Sequence, residues 1–206
     1  MELEEIKTIK AEQNDFFKSG KTKDLSYRIQ ALKTLRKAIK ENSKTIADAL
    51  KEDLNKSEAE SYLTETGMAL ASISYSLKHI KSWAKPKRVN TPLAQFPSSS
   101  HIVPEPYGVC LIIAPWNYPF LLAIDPLIAA ISAGNCAIVK PSELSPATSK
   151  LIGDIISNNF EQSYIAVAEG GKEISETLLS EQFDYIFFTG GTSIGRIVMQ
   201  KAAENL

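Results

Sequence analysis

The sequence predicts an α/β protein: a Rossmann-like parallel sheet with helices on both faces, preceded by an N-terminal helical region and a β-hairpin excursion. Two observations carry this. From residue 109 onward, four short apolar runs alternate with segments of helical periodicity, the pattern of parallel βαβ units. Before Pro86 there is no proline, and Lys, Glu, Leu and Ala dominate, so that part reads as helix.

Within residues 1–85 three helices are expected, with Gly20 suited to a helix end. The third is the best defined. Leu63, Leu70, Ile73, Leu77, Ile80 and Ala84 recur at helical spacing and form one apolar stripe that must cover a partner surface. Pro86 ends it. The following stretch to residue 106, with Pro92, Pro97, Pro104, Pro106 and three serines at 98–100, reads as a hairpin or connection. The strands come next: VCLIIA at 109–114, CAIVK at 136–140, YIAVA at 164–168 and DYIFF at 184–188. Each is rich in Val, Ile or aromatics, nearly free of charge, and too short for a helix. Residues 120–133, 146–159, 172–180 and 193–204 carry helical spacing between and after them. The division expected is a helical region at 1–86 packing on a cofactor domain, an oligomerisation hairpin at 87–106, and the nucleotide-binding portion at 107–206.

Bulk properties exclude several classes. With 44% hydrophobic and 23% charged residues, the 206-residue chain has the composition of an ordinary globular protein, which rules out fibrous and disordered classes. Lys and Arg (23) balance Asp and Glu (24) and interleave with them, so no nucleic-acid stripe or polybasic membrane anchor is present. Residues 107–124 carry no charge, but Pro115, Asn117 and Pro119 interrupt them where a membrane helix would lose hydrogen bonds. The acidic N-terminus MELEEIKTIK lacks the apolar segment of a signal peptide, and two cysteines in apolar runs suggest no disulfide framework. A reducing cytoplasm is the expected setting.

Ligands of parallel sheets bind beyond the strand C-termini, which directs attention to APWNYP at 114–119, KPSE at 140–143, AEGG at 168–171 and TGGTSIG at 189–195. No G-x-G-x-x-G follows the first strand. Gly190, Gly191 and Gly195 instead bracket a turn into the last helix, with Thr192 and Ser193 suited to its N-cap, so that free amides there could meet a pyrophosphate; a plain tight turn is the alternative. Lys140 and Glu143 could hydrogen-bond ribose hydroxyls, or be a solvated strand end and a first-turn helix acid. Asn117, framed by Trp116 and Tyr118 with prolines on either side, could hold its amide towards an oxyanion, or cap its own backbone as a turn asparagine. Cys110 and Cys136 sit among Val, Leu, Ile and Ala, where a thiol is neither accessible nor easily ionised. His79 and His101 have no second ligand at metal spacing, Trp83 reads as packing, and no metal site is expected.

Taken together, PYGVCLIIAPWNYP, AGNCAIVKPSELSP and FFTGGTSIG, in this order, resemble the aldehyde dehydrogenase superfamily, most closely its class 3 branch. The resemblance covers essentially the whole chain. It implies oxidation of an aldehyde substrate with NAD or NADP, and a homo-oligomer, most simply a dimer. By position it makes Asn117 the oxyanion-hole donor, and assigns cofactor contacts to Ala114, Pro115, Trp116, Lys140, Ser142, Glu143, Gly170, Gly171, Thr189, Gly190, Gly191, Thr192 and Gly195. The family often carries serine where this sequence has Gly191. The family's glutamate, in an L-E-L-G-G-K phrase, and its cysteine nucleophile come later than the last residue here. The expectation is therefore a chain that stops before its nucleophile, exposes an apolar edge and associates readily, with a non-catalytic nucleotide-binding fragment as the alternative.

Overall fold

The structure, a computed structural model, describes residues 3–205. The helical region opens with α1 (Leu3–Lys18), which ends at the left-handed Gly20 before a 3-10 turn at Lys21–Lys23. α2 (Leu25–Glu41) is N-capped by Asp24, whose side chain accepts from Ser26 N. α3 (Ser43–Leu54) follows almost at once, so the three-helix expectation undercounts. The break falls at Asn42, whose side-chain amide donates to Ala38 O at 2.9 Å, the local competition by which a short amide ends a helix.

α4 (Glu58–Ser61), a π-helical turn (Tyr62–Thr66) and α5 (Gly67–Trp83) run on without leaving helical backbone conformation. The π turn corrects the predicted stripe. By holding one residue more than an α turn it rotates the preceding face away: Leu63 is 70% exposed, and Glu65, at 0%, takes the buried side instead. Gly67 belongs to the same device, since a Cβ there would lie 2.6 Å from Tyr62 O. Ile73 and Ile80 keep the buried positions expected of them.

β1 (Lys87–Val89) and β2 (Ser100–Ile102) pair antiparallel, Arg88 opposite His101, and form the expected two-stranded excursion. The remainder is β3 (Val109–Ile113), α6 (Pro119–Ala133), β4 (Cys136–Lys140), α7 (Pro146–Ser157), β5 (Ile165–Val167), α8 (Lys172–Ser180), β6 (Tyr185–Phe188) and α9 (Thr192–Ala203). The charge-free stretch 107–124 thus contains β3, a bend and the start of α6, and among the described residues no helix is long and apolar enough to cross a membrane.

The sheet is parallel with order β5-β4-β3-β6; Ile112 lies opposite Val139 on one side and Phe187 on the other. α6 packs on β3 and β4, α7 on β5, and α2 and α5 lie outside α6. The chain then reverses direction to place β6 beside β3. A right-handed crossover made in the reverse direction puts α8 on the other face, where α1 also covers β3 and β4. This two-sided burial explains why every residue of β3 and β4 is buried and their sequences are apolar throughout. The reversal makes the C-terminal ends of β3 and β6 the topological switch point, where such sheets open a crevice.

Candidate functional site

Four loops leave the C-terminal edge of the sheet, and the helices they enter differ at their N-termini. α6 and α7 each begin with proline, Pro119 and Pro146, which has no N–H to satisfy. The next amides are captured by carboxylates from the helical region. Glu65 Oε2 accepts from Phe120 N (2.8 Å) and Leu121 N (3.1 Å); Asp53 accepts from Ala147 N (3.1 Å) and Thr148 N (2.7 Å). A capped helix start is about 0.5–2 kcal/mol more stable than an uncapped one. It is also closed to any other anion, since the positive end of the helix already faces a carboxylate. α6 therefore cannot receive a phosphate, a physical reason for the missing glycine fingerprint after β3.

α9 is different. Gly191 is its N-cap and supplies no side chain, so the expected capping by Thr192 or Ser193 does not occur: both residues already belong to the helix. The amides of 192–194 have no acceptor among the described residues, and the first internal bond runs from Gly195 N to Gly191 O at 3.0 Å. Thr189 N donates to Ile113 O, which fixes this loop against the end of β3. Gly190 and Gly195 make room for the Phe188 ring, which a Cβ would approach to 2.5 and 3.3 Å. Nothing lies within 4 Å of a Cβ on Gly191, so the serine common in the family fits here. The loop after β5 is also uncapped, at Gly171, but Glu173 in the first turn of α8 repels anions. Gly170, at φ 143, packs on Ile174.

At the neighbouring strand end, Ala114 N donates to Lys140 O and its side chain is buried, while Pro115 is half-buried. Trp116 (50%), Asn117 and Tyr118 (41%) stand exposed. The side-chain amide of Asn117 has no partner among the described residues, so it does not cap its own backbone. The backbone carbonyl of Asn117 accepts from Lys56 Nζ at 3.2 Å, and the same ammonium sits 4.1 Å above the Tyr118 ring. Asn117 and the open turn of α9 therefore lie at the ends of adjacent strands.

Lys140 is 2% exposed, which excludes the solvated-strand-end alternative; its ammonium donates to Glu143 Oε2 at 2.7 Å. Glu143 lies in the turn before α7, not in its first helical turn. Burial raises the Glu143 pKa, but the hydrogen bond and charge of Lys140 outweigh it, and the carboxyl lies below its ordinary value. Ser142 is buried, with Oγ accepting from Leu144 N, so its hydroxyl oxygen serves the turn.

Both cysteines are buried, and each thiol is pushed up to about 12: Cys110 by burial and then Asp184, Cys136 by burial and then Cys110. Neither is a thiolate near neutrality. A thiol pKa raised above its ordinary 9.0 contributes stability that is complete below pH 9 and is lost as pH climbs toward 12. The melting temperature should fall through that window more steeply than in a Cys110→Ala, Cys136→Ala double variant. Equal slopes in thermal melts would contradict this. His79 bonds Tyr75 O through Nδ1, and its ring, the Tyr75 ring and the Trp83 ring all lie within 5.8 Å of one another, so Trp83 packs in a surface aromatic cluster.

Lys56, Glu65 and Asp53 were not legible as site residues. One signal pointed to them: two proline-started helices whose preceding residues, Tyr118 and Ser145, make no side-chain cap must find their acceptors elsewhere.

The profile of the aldehyde dehydrogenase family matches residues 2–206. The 4,4'-diaponeurosporen-aldehyde dehydrogenase of Staphylococcus aureus is 51% identical over 93% of this chain and 42% of its own length. The Arabidopsis thaliana chloroplastic aldehyde dehydrogenase family 3 member I1 is 44% identical over 92% of this chain and 34% of its own. Among solved structures, the substrate-bound state of Staphylococcus aureus AldH superposes at a TM-score of 0.95 with 49% identity, covering 97% of this chain and 44% of that one. The chain thus spans about two fifths of the length of relatives it matches.

Proposed function

Because the chain belongs to the aldehyde dehydrogenase family, we propose that it forms the NAD(P) site and part of the oxyanion hole of an enzyme oxidising aldehydes to carboxylic acids. One observation carries the reading: the unpaired amides at the start of α9 and the unpartnered amide of Asn117 lie at adjoining strand ends, β6 and β3, of a topological switch point. The residues present fit a dinucleotide. The 192–194 amides would receive its pyrophosphate, with Thr189, Gly190, Gly191, Thr192 and Gly195 forming the loop. Lys140 and Glu143, already paired, would bond the adenosine ribose; Glu143 repels a 2′-phosphate and so favours NAD. Ala114, Pro115 and Trp116 would line the crevice from the β3 side.

The nicotinamide supplies the hydride acceptor. Asn117 donates its side-chain N–H to the aldehyde oxygen as a cysteine thiolate adds to the carbonyl carbon, holding the negative charge that develops there. That thiolate comes from outside these 206 residues, since the thiols of Cys110 and Cys136 are buried and protonated, and the family resemblance puts the base that later activates water there as well. The chain by itself is therefore expected to bind cofactor and leave aldehyde unoxidised. In this reading residues 1–86 brace the cofactor portion at 107–206, and the exposed Leu93, Phe96 and Ile102 support association of the 87–106 hairpin with a second copy in the cytoplasm.

The test is a titration of the chain with NAD and NADP, followed by calorimetry. Saturable binding of one or both is expected, with the dissociation constant raised about tenfold in Lys140→Met, the loss of one charge-assisted hydrogen bond. Absence of binding by either nucleotide would overturn the proposal.

A further inference from the structure

We propose that the buried Lys56–Glu65 pair is a positioning device for Asn117, an inference that rests on the reading of Asn117 as the donor to the aldehyde oxygen. Glu65 is wholly buried and uses both oxygens. Oε1 accepts from Lys56 Nζ at 2.5 Å, and Oε2 from the backbone amides of Phe120 and Leu121. Lys56, 7% exposed, spends the rest of its ammonium on the carbonyl of Asn117 and the face of Tyr118. The two charges therefore hold the backbone at residue 117, the ring at 118 and the amides at 120 and 121. The side chain of Asn117 is left as the free group in the middle of a clamped loop.

The pair is an expensive way to join the loop after α3 to the π turn. A buried ion pair loses hydration that its mutual attraction only partly restores, and apolar residues of the same volume commonly serve stability as well or better. Glu65 also reaches its place through the π turn at Tyr62–Thr66, which sacrifices the burial of Leu63; such turns concentrate at functional sites. Both costs converge on one loop. Asp53 provides an internal comparison. It caps α7 in the same way, through Ala147 N and Thr148 N, but forms no ion pair among the described residues and touches no candidate site residue. If capping were the whole task, the α6 site would need no more than the α7 site has. The additional lysine does one thing the α7 cap does not: it reaches the Asn117 carbonyl.

Lys56 and Glu65 are thus positioning residues. They touch no substrate, and they act by holding one rotamer-bearing backbone position still, as a donor aimed at a developing oxyanion requires. The decisive variant is Lys56→Met with Glu65→Gln, which keeps an acceptor for Phe120 N and Leu121 N while deleting both charges and the bond to Asn117. Its companion is Asp53→Asn. Two readouts are taken: kcat and KM for aldehyde in a protein where this chain acts with its nucleophile, and the 15N resonances of the Asn117 side-chain amide in the chain itself, assigned by their loss in Asn117→Asp. The expected result is a kcat lower by at least tenfold in the double variant, with KM and melting temperature little changed, and broadened or averaged Asn117 amide signals. Asp53→Asn should alter melting temperature and leave both readouts as in the parent. Single Lys56→Met, should it fold, should reproduce the kcat loss. Unchanged Asn117 resonances in the double variant would overturn the inference. If those resonances broaden while kcat stays unchanged both here and in Asn117→Ala, the positioning stands and the role given to Asn117 fails.

Discussion

In a protein where this chain acts with its nucleophile, Asn117→Ala should lower kcat for aldehyde oxidation by about two to three orders of magnitude, the effect of removing one preorganised donor, worth about 2.7–4 kcal/mol, from an oxyanion site. The size follows from when the bond is made. The aldehyde oxygen carries little charge in the ground state and nearly a full charge once the thiolate has added, so the lost interaction belongs to the transition state and falls on kcat. The fold should not notice. Asn117 is exposed and its side-chain amide has no partner among the described residues, while the backbone contacts of Lys56 with its carbonyl survive truncation to alanine. Steady-state kinetics beside a thermal melt checks both halves: a collapsed kcat with an unchanged melting temperature and an unchanged cofactor dissociation constant. Asn117→Asp should be no better, since it sets a negative charge beside the charge that must develop. A kcat within about threefold of the parent in Asn117→Ala would remove the amide from the mechanism, because even an average neutral hydrogen bond, about 1 kcal/mol, corresponds to about fivefold.

Phe120→Ala should be the most damaging single change to stability, at about 3–5 kcal/mol. Phe120 is 0% exposed in the first turn of α6, the helix that covers β3 and β4, and its amide is one of the two held by Glu65. Truncation leaves a ring-sized void that neither strand can close, since all residues of β3 and β4 are locked in a parallel ladder and buried on both faces. For a chain of this length that loss corresponds to a fall of roughly 6–20 °C in melting temperature. Chemical denaturation gives the free energy directly, through a lower midpoint at constant slope. The neighbouring Leu121, half-buried, should cost distinctly less when truncated, and equal costs would mean that the first turn of α6 is not packed as described.

The parts of the fold legible in the sequence are those set by local periodicity. CAIVK and KEISETLLS fall on β4 and α8 with their bounds intact, and VCLIIA and DYIFF differ from β3 and β6 by one residue, because short runs rich in branched and aromatic residues favour strands. Burial, expected of all four runs, holds for β3 and β4 but not for β6, which lies at the sheet edge with Tyr185 45% and Phe187 39% exposed. Where the periodicity itself was altered, the reading failed. Leu63 was placed on the apolar stripe by a constant period of 3.6 residues, and a single π turn moved it to solvent. Asn42 separated two helices that composition alone runs together, through a bond of its side chain to Ala38 O.

The candidate site divides along the same line. Asn117, Lys140, Glu143 and the glycines of 190–195 could be named from the chain because strand ends are where a parallel sheet offers ligands room, and strand ends are visible as the points where apolar runs stop. That Lys140 is buried and paired with Glu143, that α9 starts without a cap, and that Glu65 and Asp53 close the starts of α6 and α7 are decisions of the tertiary structure. Glu65 lies 55 residues from Phe120 and Asp53 lies 95 from Thr148. A carboxylate in a helix looks the same in sequence whether it meets water or the positive end of another helix; only packing α3 against α7, and the π turn and α5 against α6, brings each charge to its amides, and so leaves α9 as the open one.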